Sequence, residues 1–455
     1  MMKEKNSEIN YYGFNSSQDV IHLQTKYTIW KRVVNIVFMV TVRNGYDETV
    51  MQQAIDKLFE RNDCLRIRFV KRNGETLQYF EKERHIGRIP VKTFETESAM
   101  QSFIRRFRRK PIDCFKGRTL EAVFAVNPSG EKVIFFKVSH FVADTYGIGI
   151  LINDLFAVYD ALKNGKEMPK EPGSFEKVLK KDIEYKNNEE AKEADRAFIK
   201  EYYGVRHKEH PMYCGIHGNT SDIWLREKKK GHFSMPYLFI RCSTESYKFI
   251  IPKLLVEKVQ EYCIARRVTV GEFFFYAVSV AASVVNDKAP IQAPLELLNC
   301  RGTLDERKAA GTKVQSMSVY TTVDYSKSFT ENLLNIYEEQ RELYRHTRLS
   351  YLEIQKYQLD LWKFSPLGQV LNHTYSFIPF QAPDGVSLQV LSNGRCALPA
   401  YIAFMHNLKS GEMEAVYDVQ TAVVSPQAMV DFQNLLLRVT EAAIESPDTA
   451  LNELF

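Results

Sequence analysis

Val138-Ser139-His140-Phe141-Val142-Ala143-Asp144-Thr145-Tyr146-Gly147 is the stretch on which the reading of this chain turns. Upstream of it, LEAVFAVNPSGEKVIFFKVSHFV reads as two β-strands joined by an Asn-Pro-Ser-Gly turn, the second strand ending at His140. Downstream, Ile148, Leu151, Ile152, Leu155, Phe156, Tyr159 and Leu162 recur at the spacing of one apolar helix face. The stretch therefore puts a histidine at a strand end, an aspartate four residues on, and a helix start. Such a junction is a common place to present a reactive side chain. Imidazole titrates near neutrality and can take a proton from a nucleophile. On spacing alone the plainer reading is favoured: an interior histidine beside a helix-capping aspartate.

Around this stretch, helices and strands alternate in both halves. Val33–Val42 reads as a strand, Asp47–Arg61 as a helix, CLRIRFV as a strand, and KRNGETLQYF as a hairpin about Asn73-Gly74. A charged segment from about 165 to 232 separates the halves. Beyond it come the strand SYKFIIP, a helix from Pro252 to about Arg266, and a largely buried helix Val270–Val285 that Thr269 can cap. Strands recur near 294–299, 314–323, 370–380, 386–391, 398–407 and 413–417, and helices near 329–345, 350–361 and 426–445. The pattern is α/β or α+β with mixed sheets.

Composition narrows the function classes. The chain has 455 residues, 45% hydrophobic and 26% charged, values that exclude disorder or a coiled coil as the main architecture. A net charge of +5 is compatible with a phosphate-bearing ligand and does not mark a nucleic-acid binder. The seven cysteines form no CxxC pair, which points to reduced thiols and a cytoplasmic protein. The N-terminus lacks a signal-peptide core, and the longest apolar stretch, Phe273–Val285, is too short to span a bilayer.

Several segments in order resemble one family, the condensation-domain superfamily of chloramphenicol-acetyltransferase-like acyltransferases. The Ser139-His140-Phe141-Val142-Ala143-Asp144 stretch is similar to its HHxxxDG motif. Arg61 to Phe69 resembles RHExLRTxF, and Gly173-Ser174-Phe175 through Tyr202-Tyr203 resembles its helical crossover. Asn299-Cys300-Arg301 followed by Gly311 to Ser316 resembles NGR…GxxxN, and Tyr417-Asp418 to Leu437 the closing strand and helix, with Glu445-Ser446-Pro447-Asp448 as the tail. The resemblance implies an α/β fold of two chloramphenicol-acetyltransferase-like lobes, a V-shaped pseudo-dimer with a central tunnel. It implies lobes at 1–185 and 233–455 joined by a crossover at 186–232.

Carried over residue by residue, His140 is the general base and Asp144 the structural carboxylate that fixes its loop. Arg66 is the expected partner of Asp144, with Arg68 second, and Ser139, Thr145 and Gly147 flank the site. Ser139 stands in place of the first motif histidine and Thr145 in place of the motif glycine, which puts a close backbone approach or a positive φ there in question. Gln315 and Ser318 stand where the family prefers Asn and Pro. Gln315, Asn372 and Ser376 are expected to line the tunnel. Alternation puts Asn372, Thr374 and Ser376 on one strand face and His373 with Tyr375 on the other; His373 reads as a core residue.

Other constellations rank lower. His207, His210, Cys214 and His217 have spacings a zinc site can use, yet the resembled family needs no metal, and none is expected. The basic runs Arg226/Lys228–Lys230 and Arg105, Arg106, Arg108, Arg109, Lys110 read first as solvated faces and second as contacts for a phosphate or an acidic carrier protein. No GxSxG elbow or phosphate-cradling glycine loop is present.

The reading is a stand-alone, cytoplasmic, monomeric acyltransferase with no tightly bound cofactor. It takes a phosphopantetheine thioester, on an acyl or peptidyl carrier protein or as acyl-CoA, and an amine or alcohol acceptor, with no nucleic acid or membrane span. The second reading is a catalytically silent homologue that docks a carrier protein or partner enzyme.

Overall fold

The computed structural model describes residues 9–209, 215–216, 234–235, 242–362, 369–370, 373–396, 398–421 and 423–455. Two sheets organise them. The N-terminal sheet contains β1 (Asn35–Val42), β4 (Val91–Thr93), β5 (Leu120–Val126) and β6 (Lys132–Ser139), while β2 (Ile67–Arg72) and β3 (Glu75–Phe80) form a separate hairpin. The C-terminal sheet contains β7 (Thr244–Ile251), β8 (Leu295–Asn299), β9 (Val314–Ser318), β10 (His373–Phe380), β12 (Ala400–Asn407) and β13 (Met413–Gln420). Strand β11 (Val386–Val390) leaves the C-terminal half and pairs antiparallel with β1, so the first sheet runs β11-β1-β6-β5-β4.

The second sheet runs β9-β8-β10-β12-β13-β7. Its β8–β10 and β10–β12 pairs are parallel and the rest antiparallel, so it is mixed, as the sequence pattern indicates. The β2–β3 turn uses positive φ at Asn73 and Gly74, the conformation that an Asn-Gly hairpin favours.

The helices cover both faces of the first sheet. Phe38, Val40, Ile134, Phe136 and Val138 share a core with α2 (Glu48–Arg61) and α4 (Thr145–Asn164). Val133 and Phe135, on the opposite face, pack under α3 (Glu97–Arg109) with Met100 and Phe103. Seven of the eight residues of β6 are therefore buried, which is why its sequence is a near-continuous apolar run rather than an alternating one.

In the second half, α8 (Val270–Val285) is the core helix, preceded by α7 (Lys253–Arg266) and packed by α11 (Pro426–Glu445). It is apolar on every side because it is buried on every side. No single described helix is long and apolar enough to cross a membrane. The other long helices are α1 (Ser16–Tyr27), α5 (Phe175–Asn187), α6 (Glu189–Glu209), α9 (Phe329–Arg345) and α10 (Tyr351–Trp362), and two short ones span Leu304–Lys308 and Leu451–Leu454. The six described cysteines are free thiols.

Helix α8 starts at a capping box: the Thr269 hydroxyl accepts from the Glu272 amide, and the Glu272 carboxylate accepts from the Thr269 amide at 2.9 Å. Thr269→Ala removes half of that box. It is expected to cost about 1 kcal/mol in urea unfolding and to leave the far-UV circular dichroism unchanged.

Candidate functional site at the lobe junction

Strand β6 ends at Ser139, and the chain turns so that Val142 N donates to Ser139 O at 3.0 Å. The backbone of His140 is held at both ends. Its amide donates to Val34 O at 2.8 Å, and its carbonyl accepts from the Thr312 hydroxyl of the C-terminal half. The next carbonyl, of Phe141, accepts from Gln18 Nε2 at 2.9 Å. Helix α1 thus braces the turn, although its apolar spacing is weak.

Asp144 is the N-cap of α4. One carboxylate oxygen accepts from Gly147 N at 2.7 Å and from Arg301 Nη2 at 3.1 Å, and the other from Arg301 Nη1 at 2.9 Å and Lys313 N at 2.8 Å. Both side chains of the pair are 1% exposed. Arg301 also donates to Gly311 O at 2.7 Å and Asn299 Oδ1 at 3.0 Å, and its guanidinium faces the Tyr146 ring 4.8 Å away. The carboxylate's partners and the guanidinium's donors are therefore both accounted for, the condition under which a buried ion pair is tolerated.

The sequence places Arg66 opposite Asp144, with Arg68 second; neither is there. Arg66 closes a 3-10 turn, Asp63–Arg66, and donates to Lys82 O, while Arg68 pairs with Glu81 at 2.8 Å. Arg66 lines a separate cavity of about 340 Å³ with Phe80, Glu81, Lys82, Gly173 and Glu176, away from His140. The turn has another duty. Asp63 accepts from Ser174 Oγ, Phe175 N and Glu176 N at 2.7–3.0 Å and so fixes the start of α5, and Arg61 clamps Asp154 of α4. The true partner, Arg301, stands in the Asn299-Cys300-Arg301 segment already singled out by resemblance, and that was the signal available for it.

The start of α5 lays the Phe175 ring over Gly311. Gly311 has φ of +129°, and a Cβ there would come within 2.1 Å of that ring. Gly147 is the second glycine that the site requires, because its Cβ would meet Gly311 O at 2.7 Å. The close approach thus falls at 147. Thr145 is the first residue of α4 and is absent from the positive-φ positions of the described chain, so its β-branch is accommodated.

His140 is partly buried. Its Nδ1 is enclosed and meets no polar group beyond its own main chain. Burial lowers its pKa below the ordinary histidine value, and the nearby Asp144 charge only partly offsets this. The Ser139 hydroxyl is engaged locally, 3.3 Å from Phe141 N and against the Cys114 thiol. Gln315 is spoken for as well, donating to Thr347 O and Leu349 O. Ser376 bonds Tyr401, and the buried Thr374 hydroxyl on the same strand face meets no hydrogen-bond partner among the described residues. The opposite face of β10 carries Tyr375, which packs on Phe275 of α8 and donates to Gly271 O, so the Thr374/Ser376 face is the one turned from that core. His373 is fully buried, as a core residue should be.

Asn372 lies outside the described residues, as do His210, Cys214, His217, the Arg226–Lys230 run and the side chain of His207. Among the described residues no cluster of three or more potential ligands could hold a metal ion.

Fold and site together define a two-sheet α/β protein with a histidine loop locked where the two halves meet. Residues 10–211 match the family model Condensation domain. Surfactin synthase subunit 1 of Bacillus subtilis (strain 168) is 20% identical over 462 residues, 98% of this chain and 12% of that protein. The chain therefore spans about an eighth of that curated relative. The starter condensation domain of rhizomide synthetase, solved as a mutant in complex with C8-CoA, superposes with a TM-score of 0.80 at 15% identity over 97% of each chain. A chain in the complex of the X-domain and OxyB from teicoplanin biosynthesis superposes with a TM-score of 0.72 at 14% identity, over 100% of this chain and 98% of that one. The chain thus has the fold of solved condensation domains, matches the Condensation domain model over residues 10–211, and is similar along its length to surfactin synthase subunit 1.

Arg301→Met leaves the Asp144 carboxylate buried without its counter-charge. It is expected to cost about 3–5 kcal/mol of stability by thermal or urea unfolding. Arg301→Lys should recover only part, because an ammonium cannot reproduce the fork. Arg66→Met, which the sequence makes the critical change, should cost far less than Arg301→Met in the same assay.

Proposed function

We propose that this protein transfers an acyl or aminoacyl group from a pantetheine thioester, on CoA or on a carrier protein, to an amine or alcohol, with His140 as general base. The observation that carries this reading is the state of the His140 ring. Burial favours its neutral form at neutral pH. Its Nδ1 side is closed by its own main chain, which leaves Nε2 as the proton acceptor. Nε2 takes the N–H or O–H proton as the acceptor attacks the thioester carbonyl. The C–S bond then breaks, and the departing thiolate takes that proton. Asp144 and Arg301 hold the loop and take no proton themselves. On this reading donor and acceptor reach His140 through a channel between the two halves, with Ser376 among its walls. The C8-CoA of the rhizomide relative is the precedent for the donor class.

A second reading is a docking protein without catalysis. Ser139 and Thr145 depart from the family motif, and the X-domain relative was solved in a complex with OxyB. The two readings separate at one residue.

Wild type and His140→Ala, both checked for folding by circular dichroism, are compared by mass spectrometry of metabolites in a host carrying the neighbouring genes. The transferase loses product formation by about 10²–10⁴-fold in the variant. A wild-type-dependent product that persists in the variant would mean docking.

The pH dependence has a definite sign. The lowered pKa keeps the base neutral through the ordinary histidine range. The rate should therefore hold as pH falls past about 6.5 and decline only below that. The unfolded chain binds this proton more readily than the folded one, so His140 also makes stability fall as pH drops through that range. A pH–rate profile that breaks at or above the ordinary histidine value would contradict the assignment.

A further inference from the structure

We propose that Arg32 and Arg395, which face the indole of Trp30, form with Arg109 a cradle for the phosphate of the pantetheine arm, at the end of the N-terminal sheet that carries His140. The inference rests on the donor class proposed above and assigns the residues that hold its phosphate.

Placement comes first. Arg32 lies in the 3-10 turn Lys31–Val34, and the last carbonyl of that turn receives the His140 amide. β1 begins at Asn35, which pairs with Ser139 in the sheet register. The chain leaving β11 runs back along the same end: Leu391 N donates to Val37 O at 2.8 Å, and Asn393 Nδ2 to Asn35 O at 2.9 Å. Arg395 follows two residues later. The C-terminal end of α3 is tied down beside them. Lys137 Nζ donates to Phe107 O at 3.2 Å and Lys110 O at 3.0 Å, and Asn35 Nδ2 reaches Lys110 O at 3.3 Å. Three segments distant in sequence thus bring their arginines to one place, and one of them is the FIRRFRRK run that the chemistry at His140 does not use.

The state of the arginines comes second. Arg32 sits 5.3 Å and Arg395 4.2 Å from the Trp30 ring centroid. Stacking on an indole fixes the guanidinium plane and leaves its N–H edge for a ligand. The Nε of both Arg32 and Arg395 is buried and has no hydrogen-bond partner among the described residues. Arg395 Nη1 donates to the Ser243 hydroxyl, and Arg108 Nη1 donates to Ser392 O at 3.0 Å. Among the described residues none of Arg32, Arg108, Arg109 and Arg395 has a carboxylate ion pair. The acidic group facing them is Asp418, which acts on Arg108 and is held by Ser246 and Ser392. Burial and the repulsion of Arg395, Arg109 and Arg108 all disfavour the charge on Arg32. Four guanidiniums against one carboxylate, with two buried donors unmet, is an arrangement that an incoming phosphate dianion or diester satisfies.

Binding is measured by calorimetry on the full chain with CoA, 4′-phosphopantetheine, pantetheine and a phosphopantetheinylated peptidyl carrier domain. The wild type is expected to bind phosphopantetheine at least about tenfold more tightly than pantetheine. Arg32→Ala/Arg395→Ala should erase that preference, and His140→Ala should keep it. Tight CoA binding identifies free CoA as the source of the arm; Arg-dependent binding of the carrier domain with weak CoA identifies the carrier.

A phosphate preference that survives in the double variant, or a wild type that binds neither CoA nor the carrier domain, overturns the cradle. If the double variant does not fold by circular dichroism, Arg109→Glu at the exposed position makes the same comparison. A phosphate preference that depends on the arginines, together with product formation indifferent to His140, would leave the cradle standing and remove the proposed catalysis.

Discussion

The Asp144–Arg301 ion pair is the constraint on which the rest of the site depends. The carboxylate ends the strand-to-helix turn of the N-terminal half, and the guanidinium comes from the loop after β8 in the C-terminal half. Desolvating the two charges costs several kcal/mol per ion, and the pair survives because both carboxylate oxygens and both Nη groups are hydrogen-bonded. Gly147 N and Lys313 N complete the carboxylate, while Gly311 O and Asn299 Oδ1 complete the guanidinium. Replacing the pair by apolar groups need not destabilise the fold. Its value lies in geometry, since it gives the His140 turn one position relative to the other half.

The surrounding structure serves that geometry. Asp63 caps α5, α5 lays Phe175 over Gly311, and only glycine at 311 lets its carbonyl meet Asp144 N and Arg301. Arg61 joins α2 to Asp154 of α4. The Thr312 hydroxyl and Gln18 hold the two carbonyls at the turn. The histidine is left with a fixed backbone, a ring favoured neutral by burial, and no acid within hydrogen-bond range of Nδ1. Strand β11 adds a second tie by carrying the C-terminal half into the N-terminal sheet.

The elements were legible wherever one periodicity ran unopposed. Val270–Val285, Phe329–Arg345 and Pro426–Glu445 match the helices read from spacing, and the hairpin at Asn73-Gly74 forms as its turn chemistry dictates. Helix α1 went unread, because its apolar stripe is weak and Gln18 is buried by function rather than hydropathy. Its Asn15/Gln18 capping box, an Asn followed three residues later by Gln, was the available signal. His140 and Asp144 stand together as read. The partner of Asp144 was not, because an ion pair across 157 positions leaves no local periodicity. Arg66 belongs to the segment resembling RHExLRTxF, yet its turn faces Lys82. The role of Gly311 was invisible for the same reason, since it depends on an aromatic ring brought from residue 175.

The most direct measurement is a double-mutant cycle on Asp144→Asn and Arg301→Met, read as unfolding free energy. If the pair is the lock described here, the two changes couple by about 2 kcal/mol or more, and the double variant is less destabilised than the sum of the singles. Additive effects within about 0.5 kcal/mol would show that the two residues act independently. That result would contradict the claim that their contact positions the His140 turn.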